Sequence, residues 1–170
     1  MSTHAIIRSC VFSSEAASLI NEPLAHNFGF ENYKELHRVL FEDLYEWAGK
    51  PRTISLSKTA TVFTAPERID ELGGLIFARL KKLDYFTKLS QNEFISEIAD
   101  TYHSLNMLHP FREGNGRTER VFFVQLIRNA GYDIDYSKLN SDLLMIGSIQ
   151  AASGVMDTLV RFFEENIVSR

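Results

Sequence analysis

The sequence predicts an all-α fold, a compact helical bundle interrupted by one short β-hairpin. Three observations carry that prediction. Apolar residues recur every three or four positions over most of the chain. Period-two alternation is confined to a stretch near residues 52–64. Helix starts and stops (Pro66, Ser90, Pro110, Gly131) punctuate the periodic segments at suitable spacings.

Each element follows in order. Phe30, Tyr33, Leu36, Leu40, Leu44 and Trp47 share one helical face, and Gly49 and Pro51 stop that helix. Arg52 to Ser57 and Thr61 to Thr64 alternate around Lys58-Thr59-Ala60, a hairpin pattern. Pro66 suits the first position of a helix carrying Ile69, Leu72, Ile76, Leu80 and Leu83, in which Gly73 and Gly74 are weak points. Ser90-Gln91-Asn92-Glu93 is a capping box. It opens a helix with Phe94, Ile98, Tyr102 and Leu105 inward, ending near Leu108 because Pro110 disfavours helical geometry at His109. A further helix starts near Arg117 and stops at Gly131, and two more fit residues 137–152 and 155–167.

Composition bounds the function. The 170 residues are 45% hydrophobic and 24% charged, which describes an ordinary globular chain read as one domain over residues 1–170. Its core is expected over about 30–165, with 1–29 as an N-terminal extension packing on it. The net charge of −4 argues against broad, direct nucleic-acid binding. The single cysteine, Cys10, excludes an intrachain disulfide and a multi-cysteine zinc site. No secretion signal and no apolar run near 20 residues is visible, so a cytoplasmic protein without a membrane partner is expected.

The chemistry is concentrated in residues 109–120, His-Pro-Phe-Arg-Glu-Gly-Asn-Gly-Arg-Thr-Glu-Arg. One helix ends, a glycine-bearing loop follows, and another begins. Gly114 and Gly116 permit positive φ and close backbone approach to a ligand. Loop N–H groups at a helix start form an anion cradle. Arg117 and Arg120, three apart, repel unless an anion lies between them, and polyphosphate fits that need. Glu113 is a hard oxygen ligand suited to Mg²⁺ travelling with phosphate. His109, titrating near neutrality, suits a general base. Each piece alone has a bland reading: a structural histidine, a turn, a solvated face, a surface charge.

The whole string resembles the signature of the Fic family, His-x-Phe-x-(Asp/Glu)-Gly-Asn-Gly-Arg-x-x-Arg. Every fixed position is met, at His109, Phe111, Glu113, Gly114, Asn115, Gly116, Arg117 and Arg120. Residues 36–41 and 44–53 resemble the family's helix before its flap, and residues 57–64 resemble the flap.

The resemblance implies the Fic fold and a protein adenylyltransferase, which moves AMP from ATP to a Tyr, Thr or Ser hydroxyl of a target protein and releases pyrophosphate. It makes His109 the base and Glu113 the Mg²⁺ ligand. Asn115 and the N–H groups of Gly114 and Gly116 hold phosphate oxygens. Arg117 steadies the β-phosphate, Arg120 binds the γ-phosphate, and Phe111 anchors the loop. Asn106, one turn before His109, either touches nucleotide and base or merely packs the helix. The target adds as a strand on the flap, where Phe63 clamps its side chain or belongs to the core, and Lys58 or Val62 borders the nucleotide.

Gly116 separates the chain from the related Doc kinases, which carry Lys there. The family's inhibitory (Ser/Thr)-x-x-x-Glu-(Gly/Asn) motif is matched poorly. Ser18 to Glu22 is followed by Pro23, and Glu165-Asn166 has Arg161 four residues before the Glu. Such a chain resembles toxins restrained by a small antitoxin that supplies the glutamate in trans. By family analogy their targets include type II topoisomerase subunits. Delivery into a host cell stays open, as do transfer of UMP or phosphate and a nucleotide-binding role without transfer.

Overall fold

The structure is a computed structural model and describes residues 28–58, 61–134 and 139–170. Six α-helices, two short 3-10 turns and two two-residue β-ladders make up the regular elements of the described residues. In chain order they are α1 (Phe30–Phe41), β1 (Ser57–Lys58), β2 (Thr61–Val62), α2 (Ile69–Lys82), α3 (Gln91–Leu108), α4 (Asn115–Asn129), β3 (Tyr132–Asp133), α5 (Ser141–Ala152), α6 (Asp157–Asn166) and β4 (Val168–Ser169).

Helix α3 is the central member, because it packs on α2, α4, α5 and α6. Its inward residues Phe94, Ile98, Ala99, Tyr102, Leu105 and Leu108 sit in one continuous core with Phe77, Phe122, Phe123, Phe162 and Phe163. The capping box forms as the sequence predicts: the Ser90 N–H donates to Glu93 Oε2 at 3.0 Å. At the other end the helix closes with His109 in the left-handed region, φ +43°. Pro110 does end the helix, and it does so through a non-glycine residue held in an uncommon conformation.

Gly73 is a necessity of packing. A Cβ there would lie 2.5 Å from the Phe30 ring, so the glycine lets α1 and α2 approach. Gly147 plays the same part between α5 and α6, facing the Leu159 backbone at 3.2 Å.

The structure departs from the periodicity in several places. The first helix stops at Phe41, and residues 42–49 wind through turns in which Leu44 is exposed. Gly49, φ +77°, folds back so tightly that its Cβ position is 2.8 Å from Arg38 Cβ. That return delivers its N–H to the His37 ring, which a continuous helix cannot do. Pro66 begins a short 3-10 turn, Pro66–Arg68, before α2. Helix α4 begins at Asn115, two residues earlier than expected. A second ladder, β3 with β4, pairs Tyr132 with Ser169 and Asp133 with Val168. Two-residue strands leave no detectable period, so that pairing was invisible in sequence. Residues 137 and 138 of the expected fifth helix, and all of residues 1–27 including Ser18 to Glu22, lie outside the described residues. Among the described residues no helix is long and apolar enough to cross a membrane.

Candidate active site

The segment 109–120 folds as a loop over the end of α3 and into the start of α4. Its anchor is Phe111, fully buried and stacked on His37 at 3.7 Å between ring centroids. Asn115 fixes the loop from the other side: its Oδ1 accepts the Phe111 N–H at 2.9 Å and its Nδ2 donates to the Phe111 carbonyl at 2.7 Å. The Asn115 side chain is thus buried against the loop backbone. Gly114 has φ +85°, and a Cβ there would strike the Phe41 ring at 2.6 Å. Gly116 differs from the sequence expectation: it lies in the first turn of α4 without positive φ, and its Cβ direction is open space.

His37 supports the loop from the first helix. It is buried, its Nε2 meets the Glu113 carbonyl at 2.9 Å, and its Nδ1 meets the Gly49 N–H at 2.9 Å. A carbonyl only accepts and an N–H only donates, so the proton sits on Nε2 and the ring is neutral. Burial pushes its pKa down to about 4. The turn at Gly49 closes over its other nitrogen.

The loop borders a cavity of about 730 Å³. His109, Asn106, Glu113, Gly114, Asn115, Gly116, Arg117 and Arg120 line one side, and the hairpin contributes Lys58, Thr61 and Phe63. Met145 and Ile149 of α5 lie on the far wall. Alternation along β2 puts Thr61 and Phe63 toward the cavity and leaves Val62 outside the lining, 73% exposed. Phe63 lies flat on the His109 imidazole, 3.9 Å between centroids and 11° between planes. That contact places Phe63 at the cavity and outside the core.

His109 Nδ1 lies 3.3 Å from the Asn106 carbonyl, so Nδ1 carries the proton and Nε2 the lone pair. Asn106 therefore orients the imidazole through its backbone. Burial pushes the His109 pKa down to about 4, with Arg52 and Lys58 adding to the shift and Asn106 and Glu113 opposing it. This corrects the expectation of titration near neutrality. The ring is unprotonated at pH 7 and able to accept a proton.

Charged groups surround the His109 ring. Glu113 Oε1 accepts from the Gly114 N–H and from Arg117, both at 3.0 Å. The Arg117 guanidinium also lies over Phe41, 4.6 Å from its centroid. Arg120 is exposed, and no described carboxylate forms an ion pair with it. The first hydrogen bond of α4 is the Thr118 N–H to the Gly114 carbonyl at 3.0 Å, so the N–H groups of Asn115 and Gly116 point out of the helix start. A 15-residue helix start beside two guanidinium groups can hold an anion. Among the described residues no group of three His, Cys, Asp or Glu side chains forms a metal site. The donor set fits a divalent ion carried on phosphate, with exposed Glu113 as its protein oxygen, and does not fit an ion held by protein alone.

Comparison with known proteins agrees with this reading of the fold. Residues 27–127 match the model of the Fic/DOC family. A probable protein adenylyltransferase, y4lH of Sinorhizobium fredii, is 40% identical over 126 residues, covering 74% of this chain and 66% of that protein. Protein adenylyltransferase VbhT of Bartonella schoenbuchensis is 35% identical over 85% of this chain, which spans 30% of VbhT. The crystal structure of BepC, a VirB-translocated effector of Bartonella tribocorum with bound AMPPNP, superposes with a TM-score of 0.89 at 25% identity. That likeness covers 98% of this chain and 87% of BepC. A Fic domain from Bartonella quintana with bound ADP gives 0.90 at the same identity, covering 98% of this chain and 85% of that one. The chain belongs to the Fic/DOC family. It spans about two thirds of the Sinorhizobium relative and under a third of VbhT.

Proposed function

We propose that this chain is a protein adenylyltransferase that moves AMP from ATP to a Tyr, Thr or Ser hydroxyl of a target protein. The observation that carries the proposal is the neutral His109, its Nε2 lone pair free to face a cavity that also holds the α4 start, Arg117 and Arg120. The relatives named as adenylyltransferases and the nucleotide-bound neighbours support it.

In this reading ATP lies along the loop with its phosphates on the start of α4. The N–H groups of Asn115 and Gly116 and the Arg117 guanidinium receive the α- and β-phosphate oxygens. Arg120, without a described carboxylate partner, receives the γ-phosphate. The open space at Gly116 admits the chain of phosphates, which a side chain there would crowd. Glu113 would hold a Mg²⁺ ion carried on the phosphates, which would supply charge neutralisation there. The target hydroxyl gives its proton to His109 Nε2. Its oxygen bonds to the α-phosphorus as the α–β bridging bond breaks, and pyrophosphate leaves. Positioning and preorganised charge do most of the work. The target segment adds as a strand beside the hairpin, where Phe63 borders the base.

The restraint on such an enzyme would be a small antitoxin supplying a glutamate to Arg120 in trans. The chain would then be a toxin acting in the bacterial cytoplasm, with a type II topoisomerase subunit as the target class. The family resemblance and the exposed Arg120 support this step. Mass spectrometry of lysate proteins after incubation with ATP tests the activity. An AMP adduct on a hydroxyl side chain, absent with His109→Ala, is the expected result, and no adduct with the unaltered chain contradicts it.

A further inference from the structure

Arg52 is among the most buried large side chains of the molecule, 2% exposed, and no described carboxylate forms an ion pair with it. Its guanidinium is spent on backbone carbonyls. Nε donates to His109 at 2.8 Å and Nη1 to Ile54 at 2.7 Å, while Nη2 donates to Thr64 at 2.5 Å and to Leu108 at 3.4 Å. Its own N–H donates to the Pro110 carbonyl at 2.8 Å. Arg52 does not line the cavity, so it touches neither nucleotide nor target.

Three segments meet at this one side chain. Ile54 and Thr64 are the two flanks of the hairpin. Leu108 and His109 are the end of α3, whose last carbonyls have no partners within the helix. Thr64 completes the junction, its N–H donating to the Met107 carbonyl at 3.0 Å and its Oγ1 at 3.1 Å. The neighbouring Phe63 then falls flat on the His109 ring. His109 meanwhile holds φ +43°, a conformation that persists only where its surroundings enforce it.

We propose that Arg52 is a positioning residue that locks the flank of the target-docking hairpin to the backbone of the base His109, setting the base and the hairpin at a fixed distance for transfer. The proposal rests on the transferase reading for its catalytic consequence and on the geometry alone for the coupling. Only a planar fork can serve Nε, Nη1 and Nη2 acceptors in three directions. A lysine ammonium keeps the charge and loses the fork.

The test uses the full chain with Arg52→Lys and Arg52→Gln. The first readout needs no activity: the His109 imidazole is titrated by NMR in the unliganded protein. The charged groups that act on that ring are Arg52, Lys58 and Glu113, with the Asn106 carbonyl on Nδ1. Arg52 favours the neutral ring, so Arg52→Gln is expected to raise the His109 pKa, and Arg52→Lys to raise it less. The second readout is AMP transfer. Both variants are expected to keep nucleotide affinity within about threefold and to lower kcat about 10- to 100-fold, as for a misplaced reacting group. An unchanged His109 titration in folded Arg52→Gln overturns the proposal. So does an unchanged kcat, or a loss of nucleotide affinity parallel to the loss of kcat. Failure of both variants to fold overturns it too, because Arg52 would then be a folding residue only. Should the unaltered chain transfer no AMP, the titration still decides the coupling while the transferase reading alone fails.

Discussion

His37 and Phe111 lie face to face, 3.7 Å between ring centroids and 21° between planes, and the same imidazole bonds the Glu113 carbonyl. Helix α1 thereby grips the 109–120 loop twice, once through the ring face and once through Nε2. The expected cost of His37→Ala is about 3 kcal/mol, from a lost aromatic contact and a buried carbonyl and N–H left unpaired. Urea denaturation measures it. A change under about 0.5 kcal/mol contradicts this role.

The same histidine gives the protein a direction of acid sensitivity. Its pKa is about 4 folded and about 6.5 unfolded, so above pH 6.5 both states are neutral. Below that, the unfolded chain takes up the proton first, and stability falls as pH drops from about 6.5 toward 4. The contribution is roughly 3 kcal/mol across that window. His37→Phe, which keeps the stack and cannot titrate, should make that part of the melting-temperature profile shallower, with His109 supplying the remaining slope.

Glu119 predicts the opposite slope. Its carboxyl is 1% exposed, Oε1 has no hydrogen-bond partner, and burial pushes its pKa up to about 8. The unfolded chain releases this proton near pH 4.5, the folded one near 8, so stability declines as pH rises through that interval. Glu119→Gln should raise the melting temperature at pH 8 by about 5 °C and have little effect at pH 5. A gain equal at both pH values would show that Glu119 is ionised in the fold.

Much of this site was legible because its residues are contiguous. The string 109–120 needed no tertiary contact to be recognised, and the capping box at Ser90 and the stop at Pro110 framed it. What escaped the sequence was everything brought from a distance. His37 and Arg52 reach the loop across 76 and 57 residues, through a turn at Gly49 and a hairpin flank. Both lie in stretches that resemble the family, but nothing local there shows that either side chain reaches the loop. The depressed pKa of His109 escaped for the same reason, since burial under Phe63 is a tertiary fact. The pairing of the Asn115 amide with the Phe111 peptide is likewise a contact the string does not show.

Gly114 should tolerate no side chain. Gly114→Ala combines a left-handed backbone with a contact of 2.6 Å to Phe41. The expected loss is roughly 2–4 kcal/mol, with the loop displaced and transfer activity gone. Gly116→Ala meets nothing in the unliganded fold, so it should leave the melting temperature within about 1 °C and weaken nucleotide binding instead. Calorimetry of ATP binding beside thermal melts separates the two glycines.

The most direct measurement follows the label from ATP into protein. The chain is incubated with lysate and Mg²⁺, once with α-labelled and once with γ-labelled ATP. The account predicts label on protein from the α position only, abolished by His109→Ala with ATP binding retained, and lowered by Arg120→Ala. Label from the γ position alone, or full α-labelling by the His109→Ala variant, would contradict it.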